Sequence, residues 1–282
     1  MPGFAGFGKL LYSRQFWSSR GRFVWSRLRR LHILLGSGVS FTLFMVGGLF
    51  LALLVIPSCR LLGGDAVARY RRVQRVISRS FRLQLWFMSF IGAMNKARFQ
   101  GMENLASGGP FLIVANHPTL LDVVLLISRL PEADCVVKKA LWEHPFLGGA
   151  VRAANYIQGE GTQFMESALQ RLRLGHSIIL FPEGTRSPLH GLRPFQRGAA
   201  RLALMSGARI VPVVIRCEPT FLMKGQPWWD VPDRPLNLSL QFGTPEEIPL
   251  PPGDLEDCPS RARVLTDSME HYFRSKMTYV GA

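Results

Sequence analysis

Two short apolar runs, each followed at once by a polar cluster, are the features that most constrain the fold of this chain. The first run, Phe111–Ala115, leads into Asn116–Asp122, and the second, Ser177–Phe181, leads into Pro182–Ser187. Runs of this length that are rich in branched residues are typical of buried strands. Because open α/β sheets bind ligands outside the carboxyl ends of their strands, we expect the polar clusters to lie where a ligand binds.

The first polar cluster carries a candidate base. Pro118 suits the first turn of a helix, because its missing N–H would be unpaired there anyway. His117 therefore lies where a strand ends and a helix begins, with Asp122 five residues further on. A carboxylate in that position fixes the imidazole tautomer by accepting one N–H, which leaves the other nitrogen to act as a base. No serine or cysteine lies between them, so the pattern indicates a nucleophile supplied by the substrate; a purely structural histidine is the alternative.

The second polar cluster offers groups suited to an anionic ligand. Gly184 lets the backbone approach a ligand closely, and the guanidinium of Arg186 is a planar fork that matches phosphate oxygens. Taken alone, Pro182–Thr185 would be an ordinary turn. The repetition of one design, a strand that ends in a polar loop, favours a functional site.

Together the two clusters resemble the signatures of the glycerolipid acyltransferase family, which includes the lysophosphatidic acid acyltransferases. Those signatures are an Asn-His, four residues, Asp block and, downstream, a Phe-Pro-Glu-Gly-Thr-Arg-Ser block, which here span Asn116–Asp122 and Phe181–Ser187. The resemblance covers about residues 99–243. Weaker blocks agree with it: Lys138–Leu141, Pro145–Gly148, Phe195–Arg201 and Ile210–Ile215.

The resemblance implies an α/β fold, a mixed sheet flanked by helices, with an N-terminal hydrophobic helical membrane element. It implies an O-acyltransferase that moves a fatty acyl group from acyl-CoA or acyl carrier protein to the hydroxyl of a lysophospholipid, first of all lysophosphatidic acid. His117 would be the base that Asp122 holds, and backbone N–H groups at the strand-to-helix turns would stabilise the oxyanion. No metal and no bound cofactor are implied, since the thioester is a substrate.

The resemblance also implies a set of substrate-binding residues. The central ones are Asn116, Glu183, Gly184, Thr185 and Arg186. Four further cations are candidates for anionic groups of the donor or acceptor, with solvated surface charge as the alternative: Lys138, Lys139, Arg193 and Arg197. Many members that act on phosphate-bearing acceptors carry an Arg where this chain reads Asn155–Gly161, which contains no cation. The acceptor is therefore either specialised or held by other arginines.

Charge divides the chain into two parts. Residues 1–100 contain 16 Lys and Arg against the single acid Asp65, so the entire formal charge of +15 lies there, and the remainder is neutral. The positive part is also the most apolar, which is typical of a protein that binds an anionic bilayer surface rather than a nucleic acid. The four cysteines are far apart in sequence, which argues against a disulfide framework or zinc site and favours a reducing compartment.

The sequence predicts two parts: residues 1–98, a basic membrane anchor, and residues 99–282, the acyltransferase domain. Within the anchor we expect a hydrophobic segment at 33–57, an amphipathic helix at 66–82 and an apolar helix at 83–94. Residues 33–56 carry no charge or histidine, and as a helix they would reach about 36 Å, enough to cross a bilayer. Residues 1–32 suit an interfacial anchor, although an Arg-rich presequence is an alternative.

The flanking charges leave the topology of the anchor open, because arginines lie on both sides of the apolar run. Either the run dips into the bilayer and returns at its central glycines, or it crosses and residues 83–94 return. We expect a location at the inner (cytoplasmic) membrane, with the catalytic domain on the cytoplasmic face. The stretch Trp142–Gly149 and the pair Trp228–Trp229 are candidates for an acyl channel, a bilayer contact or simply core. A non-catalytic lipid-binding scaffold is the alternative function of another class.

Overall fold

The computed structural model describes residues 19–106, 108–160, 163–189, 191–254 and 257–278. It begins with two long helical arms joined by a short turn at residues 62–65. The first arm is α1 (Ser19–Phe50), which continues through a π-helical turn (Leu51–Val55) into α2 (Ile56–Leu61), and the second arm is α3 (Ala66–Phe90). The Asp65 carboxylate accepts a hydrogen bond from the Ala68 N–H at 2.7 Å, which caps α3 at its start. The interfacial anchor predicted at residues 1–32 lies mostly outside the described residues.

The two arms are antiparallel. The His32 imidazole contacts the Ile91 carbonyl at 2.7 Å, the Gln84 amide donates to the Ser40 carbonyl at 3.0 Å, and Arg72 donates to the Cys59 carbonyl at 2.6 Å. The arms therefore form a helical hairpin whose turn follows α2.

A mixed sheet of seven strands lies beyond the hairpin. The strands are β1 (Arg98–Gln100), β2 (Phe111–Ala115), β3 (Asp134–Val137), β4 (Ile157–Gln158), β5 (Ile178–Leu180), β6 (Arg209–Glu218) and β7 (Asn237–Phe242). Their order across the sheet is β1-β7-β6-β2-β5-β3-β4. Neighbours are parallel except β6 and β7, which are antiparallel. The prediction of an α/β fold with a mixed sheet is confirmed.

Helices cover both faces of the sheet. They are α4 (Asp122–Arg129), α5 (Lys139–Trp142), α6 (Gly148–Ala153), α7 (Phe164–Arg173), α8 (Gly198–Ser206) and α9 (Cys258–Thr278). The central strand β2 has both faces buried, so alternate residues feed two different cores. Ile113 belongs to the core shared with the hairpin and α4, whereas Leu112 and Val114 belong to the core shared with α7, α8 and α9.

Two helices predicted in the anchor, at 66–82 and 83–94, form the single helix α3. The helix continues past Arg82 because neither Gly nor Pro interrupts the chain there. The change in composition near Arg82 therefore reflects a change in what the helix surface contacts. The helix ends instead before Gly92, which has φ +73°.

The central glycines do not turn the chain, contrary to one of the two predicted topologies. Helix α1 continues without a break through Gly36, Gly38, Gly47 and Gly48, and all of these except Gly47 lie where the helix packs against its neighbours. A side-chain carbon added at Gly36 would lie 3.0 Å from Ile91, and one added at Gly48 would lie 2.7 Å from Leu147. These glycines allow α1 to pack closely against the rest of the protein.

The hairpin shares a core with the α/β part. Buried side chains of α3, including Val73, Ile77, Leu85 and Met88, belong to the same cluster as Leu125 of α4. The predicted boundary between residues 98 and 99 falls within β1 (Arg98–Gln100), not in the connection that joins α3 to this strand. Removal of the first 98 residues would therefore expose core surface.

One helix of the described residues, Arg27–Cys59, is long and apolar enough to cross a membrane by its length and composition. Its exposed surface carries a row of large apolar side chains: Leu28, Leu31, Leu35, Val39, Leu43, Val46, Phe50, Leu53 and Leu54. A row of this extent on a soluble surface is unusual and indicates a membrane or protein contact.

We predict that Gly101→Ala destabilises the fold more than Gly63→Ala does. Both glycines have left-handed backbones, with φ +75° and +70°. An added carbon at Gly101 would overlap the Phe242 carbonyl oxygen, whereas nothing lies within 4 Å of one at Gly63. Each change costs about 1–2 kcal/mol of backbone strain, so the excess for Gly101→Ala measures the overlap. Thermal unfolding in detergent measures the stability that each variant loses. Equal losses of stability would contradict the packing of β1 against β7.

Candidate active site

The two polar clusters emerge at the same edge of the sheet. Strands β2 and β5 are parallel neighbours, with Leu112 opposite Ile178 and Val114 opposite Leu180. Parallel neighbours end on the same side, so the loop after Ala115 and the loop after Leu180 lie together. The Ser187 N–H donates to the His117 carbonyl at 2.7 Å, which joins the two loops directly. The expected common position of the clusters is confirmed.

His117 and Asp122 form the predicted pair. His117 Nδ1 lies 2.8 Å from Asp122 Oδ2, and the imidazole stacks on the Phe181 ring at a centroid distance of 4.3 Å. The carboxylate is fully buried, whereas the imidazole is 15% exposed. Nε2 has no hydrogen-bond partner among the described residues, so it is the nitrogen left to receive a proton.

The surroundings of Asp122 tune the pair. Burial, the largest effect, raises the pKa of this carboxyl from 3.8 to about 6, although the hydrogen bond from His117 lowers it. Asp122 Oδ2 also accepts the Thr119 N–H at 2.9 Å, and Oδ1 is buried without a partner among the described residues. An ionised carboxylate with so little compensation favours a positive charge on its neighbour, which here is the imidazole.

Glu183 ties three parts of the site together. Its Oε1 accepts the His117 N–H at 3.1 Å and the Ser187 hydroxyl at 2.6 Å, and its Oε2 accepts the Arg193 N–H at 2.9 Å. The residue is only 4% exposed. The resemblance implied a substrate-binding role for Glu183, but in this structure its carboxylate is engaged by the protein itself.

Asn116 is likewise engaged within the fold. Its side-chain amide donates to the Ile215 carbonyl at 2.9 Å and accepts the Ile215 N–H at 2.7 Å. The side chain thus replaces a strand residue in the ladder between β2 and β6. It fixes the start of the His117 loop and is fully buried.

Arg186, Gly184 and Thr185 form the turn after Phe181. Arg186 Nη1 donates to the carbonyls of Leu222 and Met223 at 2.7 and 3.0 Å. Burial lowers the pKa of this guanidinium from its usual value. Gly184 has φ +65°, and a side chain there would overlap the Gln196 amide. Thr185 is partly exposed at the same edge.

The four further cations lie around the same edge but are less constrained. Lys138 and Arg197 are exposed, and Lys139 pairs with Glu143 in its own helix at 3.7 Å. Arg193 is partly buried and donates through Nε to the Arg186 carbonyl at 3.3 Å.

Several backbone N–H groups expected to stabilise an oxyanion already have partners. Those of His117 and Thr119 donate to Glu183 and Asp122, and that of Leu120 donates to the Leu222 carbonyl at 3.2 Å. These three amides hold the loop rather than a ligand.

Protein nucleophiles in this region are not activated. The Ser187 hydroxyl donates to Glu183 and is buried. Burial raises the pKa of the Cys217 thiol to about 12, with a smaller effect from Asp122. A protonated thiol is a poor nucleophile. This agrees with a nucleophile supplied by a substrate.

Comparisons with known proteins agree with this geometry. The family model described as Acyltransferase matches residues 96–216. A chloroplast 1-acyl-sn-glycerol-3-phosphate acyltransferase of Brassica napus is 28% identical over 197 residues, which are 67% of this chain and 54% of that protein. The human 1-acyl-sn-glycerol-3-phosphate acyltransferase alpha is 28% identical over 185 residues, 62% of each chain. The Saccharomyces cerevisiae 1-acyl-sn-glycerol-3-phosphate acyltransferase is 34% identical over 139 residues, 43% of each.

The solved structure of the Thermotoga maritima 1-acyl-sn-glycerophosphate acyltransferase has the same fold. Its TM-score is 0.62 at 21% identity, over 88% of this chain and 97% of that one. The resemblance to the lysophosphatidic acid acyltransferases is thus confirmed over residues 96–216, the part of the chain that the Acyltransferase family model matches. It spans about half the length of the plant relatives that it matches. The residues that match the family model include both the His117 loop and the Glu183 turn.

We predict that the catalytic activity that depends on His117 and Asp122 falls as pH decreases through about 6. Below the raised pKa of Asp122 the carboxyl is protonated, and its O–H then donates to His117 Nδ1. That places the imidazole proton on Nε2, the nitrogen that must accept a proton. The pH profile of kcat/KM measures this, with a rise between about pH 5 and 7 expected for the pair as a unit.

Asp122→Asn supplies the control for that profile. An amide at this position does not ionise. We therefore expect the fall of kcat/KM toward low pH to differ from that of the wild type, and the rate to be lower by ~10²–10⁴ at every pH. A wild-type profile that is flat from pH 5 to 7 would contradict the assignment.

Proposed function

We propose that this protein transfers a fatty acyl group from acyl-CoA or acyl carrier protein to the free hydroxyl of a lysophospholipid at a membrane, with lysophosphatidic acid as the first candidate acceptor. The observation that carries the proposal is the His117–Asp122 pair at 2.8 Å, with one imidazole nitrogen unpaired. It lies at the same sheet edge as the Glu183 turn. The acceptor is supported by the relatives, which are 1-acyl-sn-glycerol-3-phosphate acyltransferases.

The chemistry follows from the pair. His117 Nε2 removes the proton of the acceptor hydroxyl as its oxygen attacks the thioester carbonyl carbon. The C–S bond then breaks, and the leaving thiolate takes the proton back from the imidazolium. Buried Asp122 stabilises the imidazolium between these steps, because a positive charge beside an uncompensated carboxylate is favoured. The protein needs no nucleophile of its own.

The acceptor phosphate has several cations to meet at this edge. Lys138 and Arg197 are exposed and Arg193 is partly buried, and these three cations could take the place of the arginine that is missing from Asn155–Gly161. Arg186 already donates to two carbonyls through Nη1. We therefore assign the phosphate to Lys138, Arg193 and Arg197 before Arg186.

A narrow apolar cavity of about 60 Å³ leads away from the His117 loop. It lies between that loop and the helical hairpin. Its lining includes Leu120, Leu121 and Val124 on one side and Phe41 and Phe44 of α1 on the other. An alkyl chain suits such a lining, because each buried CH₂ gains about 0.8 kcal/mol.

The hairpin is the proposed membrane-binding element. Exposed Arg75, Arg79 and Arg82 lie on α3, and the contact of Gln84 with Ser40 places this row beside the apolar middle of α1. An arginine at the centre of a bilayer costs about 2.5–3.5 kcal/mol on insertion scales. We therefore propose that the hairpin lies along one leaflet with its arginines at the headgroups, on the cytoplasmic face of the inner membrane.

A specialised acceptor is the second candidate. Its acylation would use the same chemistry. The absence of a cation from Asn155–Gly161 favours this second candidate. A scaffold without activity is disfavoured, because the base, its carboxylate and the turn that holds them are all in place.

We predict that His117→Ala reduces acyl transfer at least ~10³-fold, since it removes the base. The assay supplies radiolabelled acyl-CoA or acyl carrier protein with lysophosphatidic acid, lysophosphatidylcholine or lipid extract of the source cell. His271→Ala, a change of an exposed histidine on α9, is the matched control. Retained turnover in His117→Ala would exclude the proposed base. Product from other acceptors but not from lysophosphatidic acid would replace the first candidate acceptor with a specialised one.

We predict that replacing Arg75, Arg79 and Arg82 together by Gln weakens binding to anionic vesicles ~10²-fold, at about 1 kcal/mol per charge near the surface. The matched control replaces three exposed arginines beyond the other face of the sheet, Arg173, Arg201 and Arg263, by Gln. Vesicle sedimentation at low and high salt measures both. Equal losses in the two triple variants would contradict the proposed orientation of the hairpin.

A further inference from the structure

The loop between β6 and β7, residues 219–236, connects the catalytic edge with the helical hairpin. One end of this β6–β7 loop leaves strand β6 beside the His117 loop, and its middle reaches α1. From the sequence alone, the role of its tryptophans, Trp228 and Trp229, stayed open between an acyl channel, a bilayer contact and the core.

The inner part of the β6–β7 loop holds the His117 loop. The Leu222 carbonyl accepts the Leu120 N–H at 3.2 Å and Arg186 Nη1 at 2.7 Å. Leu120 lies between the base and its carboxylate. Leu222 has φ +55°, an uncommon conformation for a bulky residue that costs of order 1–3 kcal/mol and persists where neighbours impose it. The carbonyl of Leu222 is thus a junction for both halves of the active site.

The outer part of the β6–β7 loop docks on α1. The Trp228 ring stacks on Phe41 at 6.1 Å with an interplanar angle of 8°. A carbon added at Gly38 would lie 3.2 Å from the Trp228 ring, so the glycine leaves room for the stack. Trp228 is 36% exposed, and the rest of its surface is covered.

Side-chain hydrogen bonds make the segment between these two parts one unit. The Gln226 amide accepts the Met223 N–H at 3.2 Å and donates to both the carbonyl and the carboxylate of Asp230 at 3.1 Å. Met223 follows the junction residue, and Trp228 lies within the Gln226–Asp230 turn. A displacement of Trp228 is therefore transmitted to Leu222.

We propose that Trp228 is a positioning residue for acyl transfer, which acts through the β6–β7 loop to set the geometry of the His117 loop from helix α1. The inference rests on the proposed function. Trp228 also borders the cavity, so contact with the acyl chain is the alternative role that a test has to distinguish from positioning. A positioning residue affects turnover for every substrate, whereas a chain contact affects binding and chain-length preference.

The kinetic test compares Trp228→Ala with the full-length wild type in vesicles. We expect kcat to fall about tenfold, equally for acyl chains of different length, with KM for donor and acceptor changed less than twofold. Trp228→Phe, which retains a ring for Phe41, should restore most of kcat. Trp86→Ala is the control for loss of an exposed tryptophan; Trp86 contacts Phe90 within its own helix. A change in KM or in chain-length preference, with kcat kept, would overturn the proposal.

Hydrogen exchange tests the same link without relying on activity. The Leu120 amide should exchange at least tenfold faster in Trp228→Ala than in the wild type or Trp228→Phe, because its acceptor is the Leu222 carbonyl. Amides of α8, on the other face of the sheet, should stay unchanged and so report an intact fold. Unchanged exchange at Leu120 would overturn the proposal. A wild type that transfers no acyl group would instead refute the proposed function, and the exchange result would still decide whether Trp228 and the loop are coupled.

Discussion

The active site depends on how neighbouring elements hold the loop that carries His117. Regular structure stops at Ala115 and resumes at Asp122, so the residues between them have no ladder of their own. Asn116 pairs with the backbone of Ile215, and Glu183 accepts the His117 N–H. Each contact uses a charged or amide side chain in a buried position, where such groups are costly unless hydrogen-bonded. The loop is therefore fixed by interactions that also explain why these polar residues are buried.

Two buried carboxylates define the electrostatics of the site. Glu183 is satisfied by three donors from the protein, whereas Asp122 has one oxygen without a partner among the described residues. The difference divides their roles: Glu183 supports the architecture, and Asp122 retains a charge that a protonated imidazole can compensate. Hydrogen bonds from donors stabilise an ionised carboxylate, and burial without them destabilises it. Burial is the largest cause of the raised pKa of Asp122, and the hydrogen bonds from His117 and Thr119 offset it only in part.

The sequence predicted the elements that obey local rules. The two strands and their polar loops were evident from apolar runs and turn residues. The spacing of His117 and Asp122 indicated the pair, and the second polar cluster and the family resemblance favoured it over a structural histidine. Arg82 and Leu83, by contrast, were assigned to different helices, because composition changes there although the backbone continues.

Long-range contacts escaped the sequence analysis. Nothing local shows that the Asn116 amide meets Ile215 or that Arg186 meets Leu222, because their partners lie 99 and 36 residues away. The resemblance attributed Asn116 and Glu183 to the substrate, and sequence cannot distinguish a residue that binds a ligand from one that holds the residue that does. The glycines of α1 were read as possible turns, since their packing partners come from other parts of the chain.

The central claim is that His117 and Asp122 act as one base in acyl transfer to a lysophospholipid. Its most direct measurement is the rate of transfer to lysophosphatidic acid by four proteins: the wild type, His117→Ala, Asp122→Ala and the double variant. Because Asp122 contributes to proton transfer through the imidazole, the account predicts that the double variant is no slower than His117→Ala. Losses that multiply in the double variant would show that the two residues act independently, which would contradict the account.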